Sequence, residues 1–389
     1  MSEMKQIVVI GGSFAGRSAL DKLTAGIKGQ AEVTLVDERD GACFFVATPR
    51  ALVDPGVTEQ LMAPFATFLL KYQGKVKFCR GRVTSIDPAG RVRLADGAGE
   101  IPFDYLILAT GTTYGGPLKS DSRDLEMQVR EIKELAGRIK EAGRVMVVGG
   151  GASGVELAGE IATDYPGKQV MLVHRGPALL PGPHKAQAGE RALEKLKGKG
   201  VHVRLESQVE GLTPEEVTRG YTYATRTMQI VSRGGKESEG LESDLQIYAW
   251  AKGVPNTVSL DSLGPEVVVG KGGYIRVRET LQIPGHDHIF AVGDVCDADR
   301  NTAVAARSQG ALAASNLLAL MQSSMTGIPA KLTKYSKIMN IQLITIGRKD
   351  GLFILPFMIL GGWLTRLFKS RDAMAGSFRK EVGPMVPSS

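Results

Sequence analysis

One pattern occurs twice in this chain: an apolar strand, a glycine-rich turn, a small-residue helix and a second apolar strand. KQIVVIGGSFAGRSALDKL followed by AEVTLVDERD is the first copy, and GRVMVVGGGASGVELAGEI followed by KQVMLVHRG is the second. A strand that runs directly into a glycine turn and a helix is the start of a βαβ unit. Such units build parallel sheets with helices on their faces. Two of them within 389 residues leave room for two nucleotide-binding units and a smaller third piece. The expected class is therefore α/β, with two Rossmann-like dinucleotide-binding domains. The first is read as residues 1–118 joined with 255–330, and the second, 119–254, is inserted into it. Residues 331–389 form a separate C-terminal piece, with two short strands around GRKDG followed by an apolar, basic segment.

The first turn reads Gly11-x-Ser13-x-x-Gly16, so Gly11, Gly12, Ser13, Phe14, Ala15 and Gly16 are its candidate binding residues. Free N–H groups at the start of the following helix, together with the helix dipole, favour a diphosphate there. Asp37 lies 21 residues after Gly16, at the end of the next strand, where an acid hydrogen-bonds an adenosine ribose. Ser13 replaces the usual middle glycine and is small enough to leave room. The second turn, Gly149-x-Gly151-x-x-Gly154 with Ala152 and Ser153, is complete. At the position matching Asp37 it carries His174, followed by Arg175. Neither repels a 2′-phosphate and Arg175 pairs with one, so the expectation is use of both NADH and NADPH. Glu156, in the first turn of the second helix, is expected to face the nicotinamide with its exposed end. Glu160, one turn later, reads as structural.

Two further motifs, ATG (Ala109, Thr110, Gly111) and AVGD (Ala291 to Asp294, including Gly293), resemble the crossover loop and flavin-binding strand end of the pyridine nucleotide-disulfide reductase superfamily. That resemblance implies a glutathione-reductase-like FAD/NAD(P) fold, FAD on the first turn, a nicotinamide dinucleotide on the second, and Asp294 near the flavin ribityl chain. RDGACFFVATPRA, GVELAGEIATDYPGKQVMLVH, LQIPGHDHIFAVGD, IGRKDG and LFKSRD resemble the ferroptosis suppressor protein group. These are homologues of apoptosis-inducing factor, related to type II NADH:quinone oxidoreductases. The group implies NAD(P)H-dependent reduction of ubiquinone-type lipid quinones at a membrane. It adds Arg50, Val83, Gly253 and Gln309 to the cofactor-binding set, with Gln309 aimed at the flavin pyrimidine ring. It places Lys369 beside the cofactor or quinone entrance, as a catalytic candidate with Glu156. It also implies a cytoplasmic protein held on a plasma membrane, lipid droplet or outer mitochondrial surface.

Cys43, Cys79 and Cys296 are far apart, which excludes a dithiol relay, a disulfide framework and a zinc site, and fits a reducing compartment. Without a thiol pair, reduced flavin passes electrons directly to an acceptor such as a quinone or oxygen. A single-cysteine peroxidase or oxidase using Cys43 is a second reading, although Phe44 and Phe45 beside it favour a buried, inert thiol. A third is a signalling or nucleic-acid-binding protein with a structural flavin. The net charge of +7 belongs to residues 331–389, where ten Lys or Arg outnumber three acids. That charge adjoins GLFILPFMILGGWLT, residues 351–365, which is too short for a membrane-spanning helix. The run either lies in the interface or packs on the flavin domain as a hairpin and helix, and both hold if one face packs and the other meets lipid. The pairing suits an anionic lipid surface, with Trp363, Arg366, Lys369 and Arg371 toward the headgroups, better than a nucleic acid. The chain starts a strand within a few residues, and Ser2 stands where N-myristoylation requires glycine. Neither a signal peptide nor a myristoyl anchor is expected, and oligomeric state is left open.

Overall fold

The computed structural model describes residues 4–114, 116, 118–182, 186–235, 237–249, 253–257, 260–269, 272–339, 341–365, 369 and 372–382. Six strands form the first sheet, in the order Gln282–Ile283, His286–Ala291, Tyr105–Leu108, Lys5–Ile10, Ala31–Asp37, Val76–Arg80. All pair in parallel except Gln282–Ile283, which runs antiparallel to its neighbour. Tyr105–Leu108 is buried throughout, as a continuous apolar run in a sheet covered on both faces must be. The second sheet has the order His202–Arg204, Gln169–Val173, Arg144–Val148, Ser238–Tyr248, Tyr221–Ser232, Ser207–Glu210. Its first four strands are parallel, and the long hairpin Tyr221–Ser232/Ser238–Tyr248 extends it antiparallel. Helix Leu125–Glu141 leads into this sheet. Asp124 caps it by accepting from the Glu126 and Met127 amides, and Leu125, Ile132, Leu135 and Ile139 share its buried face.

Both copies of the repeat obey one steric rule. A Cβ at Gly16 falls 1.8 Å from the Gly11 carbonyl oxygen, and one at Gly154 falls 1.8 Å from that of Gly149. Gly11 and Gly149 themselves adopt φ of 99° and 120°, which disfavours any side chain. A Cβ at Gly151, by contrast, meets nothing within 4 Å, so the matching position of the first copy accommodates Ser13. Helix Phe14–Gly26 packs on helix Ala303–Thr326, and a Cβ at Gly310 comes within 2.0 Å of the Ala15 carbonyl oxygen.

Two charge clusters fasten the parts together. Arg50 and Glu160, both buried, form a two-pronged pair, Nε to Oε2 at 2.8 Å and Nη2 to Oε1 at 2.7 Å. Burial pushes the Glu160 carboxyl up while Arg50 pulls it back. The pair ties the helical turn Thr48–Ala51 after the first sheet's opening strands to the second nucleotide-binding helix, Ala152–Asp164. At the other end of the chain, Glu381 on helix Ala375–Val382 accepts from Arg17 at 3.0 Å and from Arg307 at 2.7 Å. Phe378 of that helix stacks on Phe44 with centroids 4.9 Å apart, and the buried Arg17 guanidinium lies 5.1 Å from the Phe378 ring.

The strands Gln342–Thr345, Gly351–Ile354 and Ile359–Leu360 make a small antiparallel sheet. The apolar run 351–365 thus folds as two strands and a short helix, Gly362–Thr365. Leu352 and Ile354 are buried, whereas Phe357 and Met358 at the turn are 83% and 51% exposed. No helix of the described residues is long and apolar enough to cross a membrane. Arg366, Arg371 and the side chain of Trp363, expected to face lipid, lie outside the described residues.

Removing one partner of a buried ion pair leaves the other uncompensated. Arg50→Met is therefore expected to destabilise the fold by about 3–5 kcal/mol. Urea denaturation of the variant checks this, and a loss under about 1 kcal/mol, as for an exposed pair, contradicts it.

Candidate functional site

A cavity of 450 Å³ lies between the two glycine turns. Ser13, Phe14 and Ala15 wall it from the first copy, and Ala152, Ser153 and Glu156 from the second. Ala109 to Thr112, Gly293 and Asp294 complete the wall, and Ile344 and Lys369 reach it from the C-terminal piece. A second cavity of 260 Å³ adjoins it, sharing Asp37, Arg39 and Thr110 and extending past Gly11 to Val83 and Ile275. Gly16 and Gly154 let each helix start close against its turn, a Cβ at Gly151 meets only open space, and Ser13 to Ala15 and Ala152 to Ser153 face the cavity, so the residues present fit FAD on the first turn and a nicotinamide dinucleotide on the second.

The two copies hold their turns by the same device built from different chemistry. Asp37 Oδ2 accepts from the Gly12 amide at 2.8 Å, and Oδ1 accepts from the Arg39 amide at 2.9 Å. Burial pushes the Asp37 carboxyl up, against the pull of those hydrogen bonds. In the second copy His174 Nδ1 accepts from the Gly150 amide at 3.1 Å. The imidazole thus replaces the carboxylate, with its proton on Nε2. Burial lowers the affinity of this ring for a second proton. Arg175, next to it, is exposed.

Glu156 lines the cavity but differs from the expectation of an exposed end. It is buried, and its Oε1 accepts from Lys369 Nζ at 2.5 Å and from the Thr345 amide at 2.9 Å. Lys369 also donates to the Leu343 carbonyl at 3.0 Å and is itself buried. Two residues 213 apart in sequence thus form one neutralised unit at the junction of the second nucleotide helix and the C-terminal sheet.

Two expected cofactor-binding side chains also have protein partners. Arg50 pairs with Glu160 through Nε and Nη2, which gives its buried guanidinium the carboxylate it requires. Gln309 is buried, with its Oε1 accepting from the Gly293 amide at 2.6 Å, so it shapes the AVGD loop and does not aim its side chain at the cavity. Gly253 sits against Tyr114, whose ring a Cβ at 253 would meet at 2.8 Å. Tyr114 is a cavity residue, as are Phe45, Lys119 and Tyr248, and none of these four belongs to a spaced motif. Cys43 lines the cavity but is buried, and burial pushes its thiol far up. Cys296, buried beside Gln309, is pushed up to about 12.

The family model for pyridine nucleotide-disulphide oxidoreductases matches residues 5–310. Ferroptosis suppressor protein 1 of Xenopus tropicalis is 30% identical over 392 residues, covering 100% of this chain and 98% of that protein. The sulfide:quinone oxidoreductase of the hyperthermophilic bacterium Aquifex aeolicus superposes with a TM-score of 0.72 at 19% identity, over 97% of this chain and 91% of the other. NDH2 of Plasmodium falciparum, in complex with NADH, superposes with a TM-score of 0.73 at 15% identity, over 97% of each chain.

His174 predicts a pH dependence of stability. Its folded-state pKa is lowered, so its share of stability is complete above the ordinary imidazole value of about 6.5 and is lost as pH falls from there toward the depressed value. The fall in melting temperature between pH 7.5 and 5.5 is expected to be smaller in His174→Asn, whose side chain accepts a hydrogen bond without titrating. Equal falls in the two proteins would show that His174 carries no such linkage.

Proposed function

Because the chain belongs to the pyridine nucleotide-disulphide oxidoreductase family, and within it to the ferroptosis suppressor group, we propose that it is an FAD-dependent NAD(P)H:quinone oxidoreductase acting on a ubiquinone-type lipid quinone at an anionic membrane surface. FAD and a nicotinamide dinucleotide are its cofactors. The observation that carries the reading is the single cavity reached by both glycine turns and closed at one end by the buried Glu156–Lys369 pair. The solved sulfide:quinone oxidoreductase adds support, since it shares the fold and has a quinone in its name.

When bound, the two cofactors supply the redox chemistry, hydride donation by the nicotinamide and two-electron transfer to the acceptor by the flavin. The balance is NAD(P)H, one proton and a quinone giving NAD(P)⁺ and a quinol. The protein's share is placement. Its two turns bring the dinucleotides to one cavity, and the Arg50–Glu160 pair fixes the angle between them. Glu156 and Lys369 form a buried, mutually paired part of the cavity wall, and the Lys369 ammonium is held there by Glu156 and the Leu343 carbonyl. Cys43 fills space. Its raised pKa keeps it a thiol, and a thiol is a poor peroxide nucleophile.

The test is anaerobic NADH consumption by the purified flavoprotein with a short-chain ubiquinone or hydrogen peroxide as acceptor. Turnover with quinone is expected, unchanged in Cys43→Ser. Lys369→Met is expected to lower kcat/KM for the quinone about 10-fold or more, because it strands a buried carboxylate. Turnover with peroxide alone, abolished by Cys43→Ser, would make the protein a single-thiol peroxidase.

Membrane contact is assigned to the exposed tip formed by Phe357 and Met358. Burying each such side chain in an interface is worth about 1.5–3 kcal/mol. The double variant Phe357→Ser/Met358→Ser is therefore expected to cut co-sedimentation with phosphatidylserine-containing vesicles at least about 10-fold. Co-sedimentation equal to wild type would place the contact elsewhere.

A further inference from the structure

Three carboxylates, Asp37, Glu156 and Asp294, and three cations, Arg39, Lys119 and Lys369, line the large cavity, but not all of them are paired. Asp37 is taken up by backbone amides, and Glu156 and Lys369 neutralise each other. Arg39, Lys119 and Asp294 remain, two cations and one anion. Among the described residues neither Arg39 nor Lys119 forms an ion pair, and Arg39 Nε is buried without a hydrogen-bond partner.

Lys119 is placed with some care. It stands on the loop that crosses from the first sheet toward the second. Its ammonium donates to the Thr112 carbonyl and lies 4.8 Å from the Tyr114 ring centroid and 5.8 Å from that of Phe45. Two ring faces and one carbonyl hold the charge without neutralising it. Its charged neighbours are Asp294, on the ribityl side of the site by resemblance, Arg39, which follows the ribose-binding strand end at Asp37, and Asp121. The same cavity is walled by the start of helix Phe14–Gly26, whose first turn holds no acidic residue and whose cap residue, Ser13, makes no side-chain hydrogen bond.

We propose that Lys119, assisted by Arg39, is a diphosphate-binding residue of the FAD site, adding a side-chain cation to the backbone amides of the first glycine turn. This rests on the reading that FAD occupies that turn. A diphosphate there gives the two cations that lack an ion pair an anionic partner and the unfilled donor of Arg39 an acceptor. Burial pushes the Lys119 ammonium down to about 8 against the pull of Asp294 and Asp121, and a bound diphosphate would raise it. A charge-assisted contact of this kind changes affinity by roughly 10- to 100-fold.

The measurement is FAD release from the full-length holoenzyme, followed as flavin fluorescence on dilution, for wild type, Lys119→Met and Lys119→Arg. Release about 10- to 100-fold faster in Lys119→Met, with near wild-type release in Lys119→Arg, is the expected result. The visible spectrum and reduction potential of the flavin still bound should match wild type, because the contact is with phosphate. Unchanged release in Lys119→Met overturns the proposal. Faster release accompanied by a shifted spectrum and potential also overturns it, since that places Lys119 on the flavin ring. If Lys119→Met does not fold, Lys119→Gln carries the same test while keeping much of the stem over Tyr114 and Phe45. A wild-type protein without flavin would refute the enzymatic reading itself. A flavoprotein reduced by NADH whose Lys119→Met variant holds FAD tightly would refute this inference alone.

Discussion

A hydride crosses only a few ångströms, so everything in this molecule depends on two separately folded nucleotide turns being held at one distance. The buried Arg50–Glu160 pair is the contact that does this from inside. Its geometry is two-pronged, which restricts rotation as well as separation. Arg348 adds a partly exposed version of the same link. It donates to Asp164, at the end of the second nucleotide helix, at 2.6 Å and to Asp54 at 3.0 Å. Both arginines bridge the segment around residues 50–54 to one helix, Ala152–Asp164, so that helix is fixed near its middle and at its end. The C-terminal sheet then lies against the same helix, where a Cβ at Gly159 would meet Ile346 at 2.9 Å.

This arrangement makes the C-terminal piece part of the site. Thr345 and Lys369 both terminate on Glu156, so the wall of the reacting cavity is made only when the small sheet docks. A carboxylate on the second nucleotide helix is thus neutralised by a segment that follows both nucleotide units in sequence. The charge surplus of the tail, seen as composition, is partly spent inside the molecule: Lys369, Arg348 and Arg379 all face protein partners.

The two glycine turns and the place of Asp37 beside the first were legible in the sequence because their geometry is local, whereas the AVGD loop was read only by resemblance. Spacing within some twenty residues dictates which atoms face a diphosphate, and the same spacing recurs in the second copy. His174 was visible as a departure from the acid of the first copy. Its role as acceptor for the Gly150 amide was not, because a ring nitrogen standing in for a carboxylate leaves no pattern. Arg50 and Glu160 are 110 residues apart, and Glu156 and Lys369 are 213 apart, so no periodicity connects them. Glu160 read as structural from its place on the helix, while its partner looked like a ligand residue. Lys119 sits in a loop without motif or regular structure, and only the folded cavity shows what surrounds it. The apolar run allowed a packed hairpin and helix as well as an interfacial segment, and its composition averages over what the fold separates, buried Leu352 and Ile354 from exposed Phe357 and Met358.

Glu381 has a consequence that reaches beyond the tail. Arg17, which it neutralises, belongs to the helix that begins at Phe14, the helix whose start forms the first glycine turn. Arg17 is 1% exposed and has no carboxylate besides Glu381 within ion-pairing distance among the described residues, so its charge has to be matched there or be moved to water. Order at the far end of the chain and order at the first nucleotide turn are therefore thermodynamically linked. A ligand that stiffens the turn also protects the last helix from proteases, and clipping that helix is felt as looser grip on the ligand.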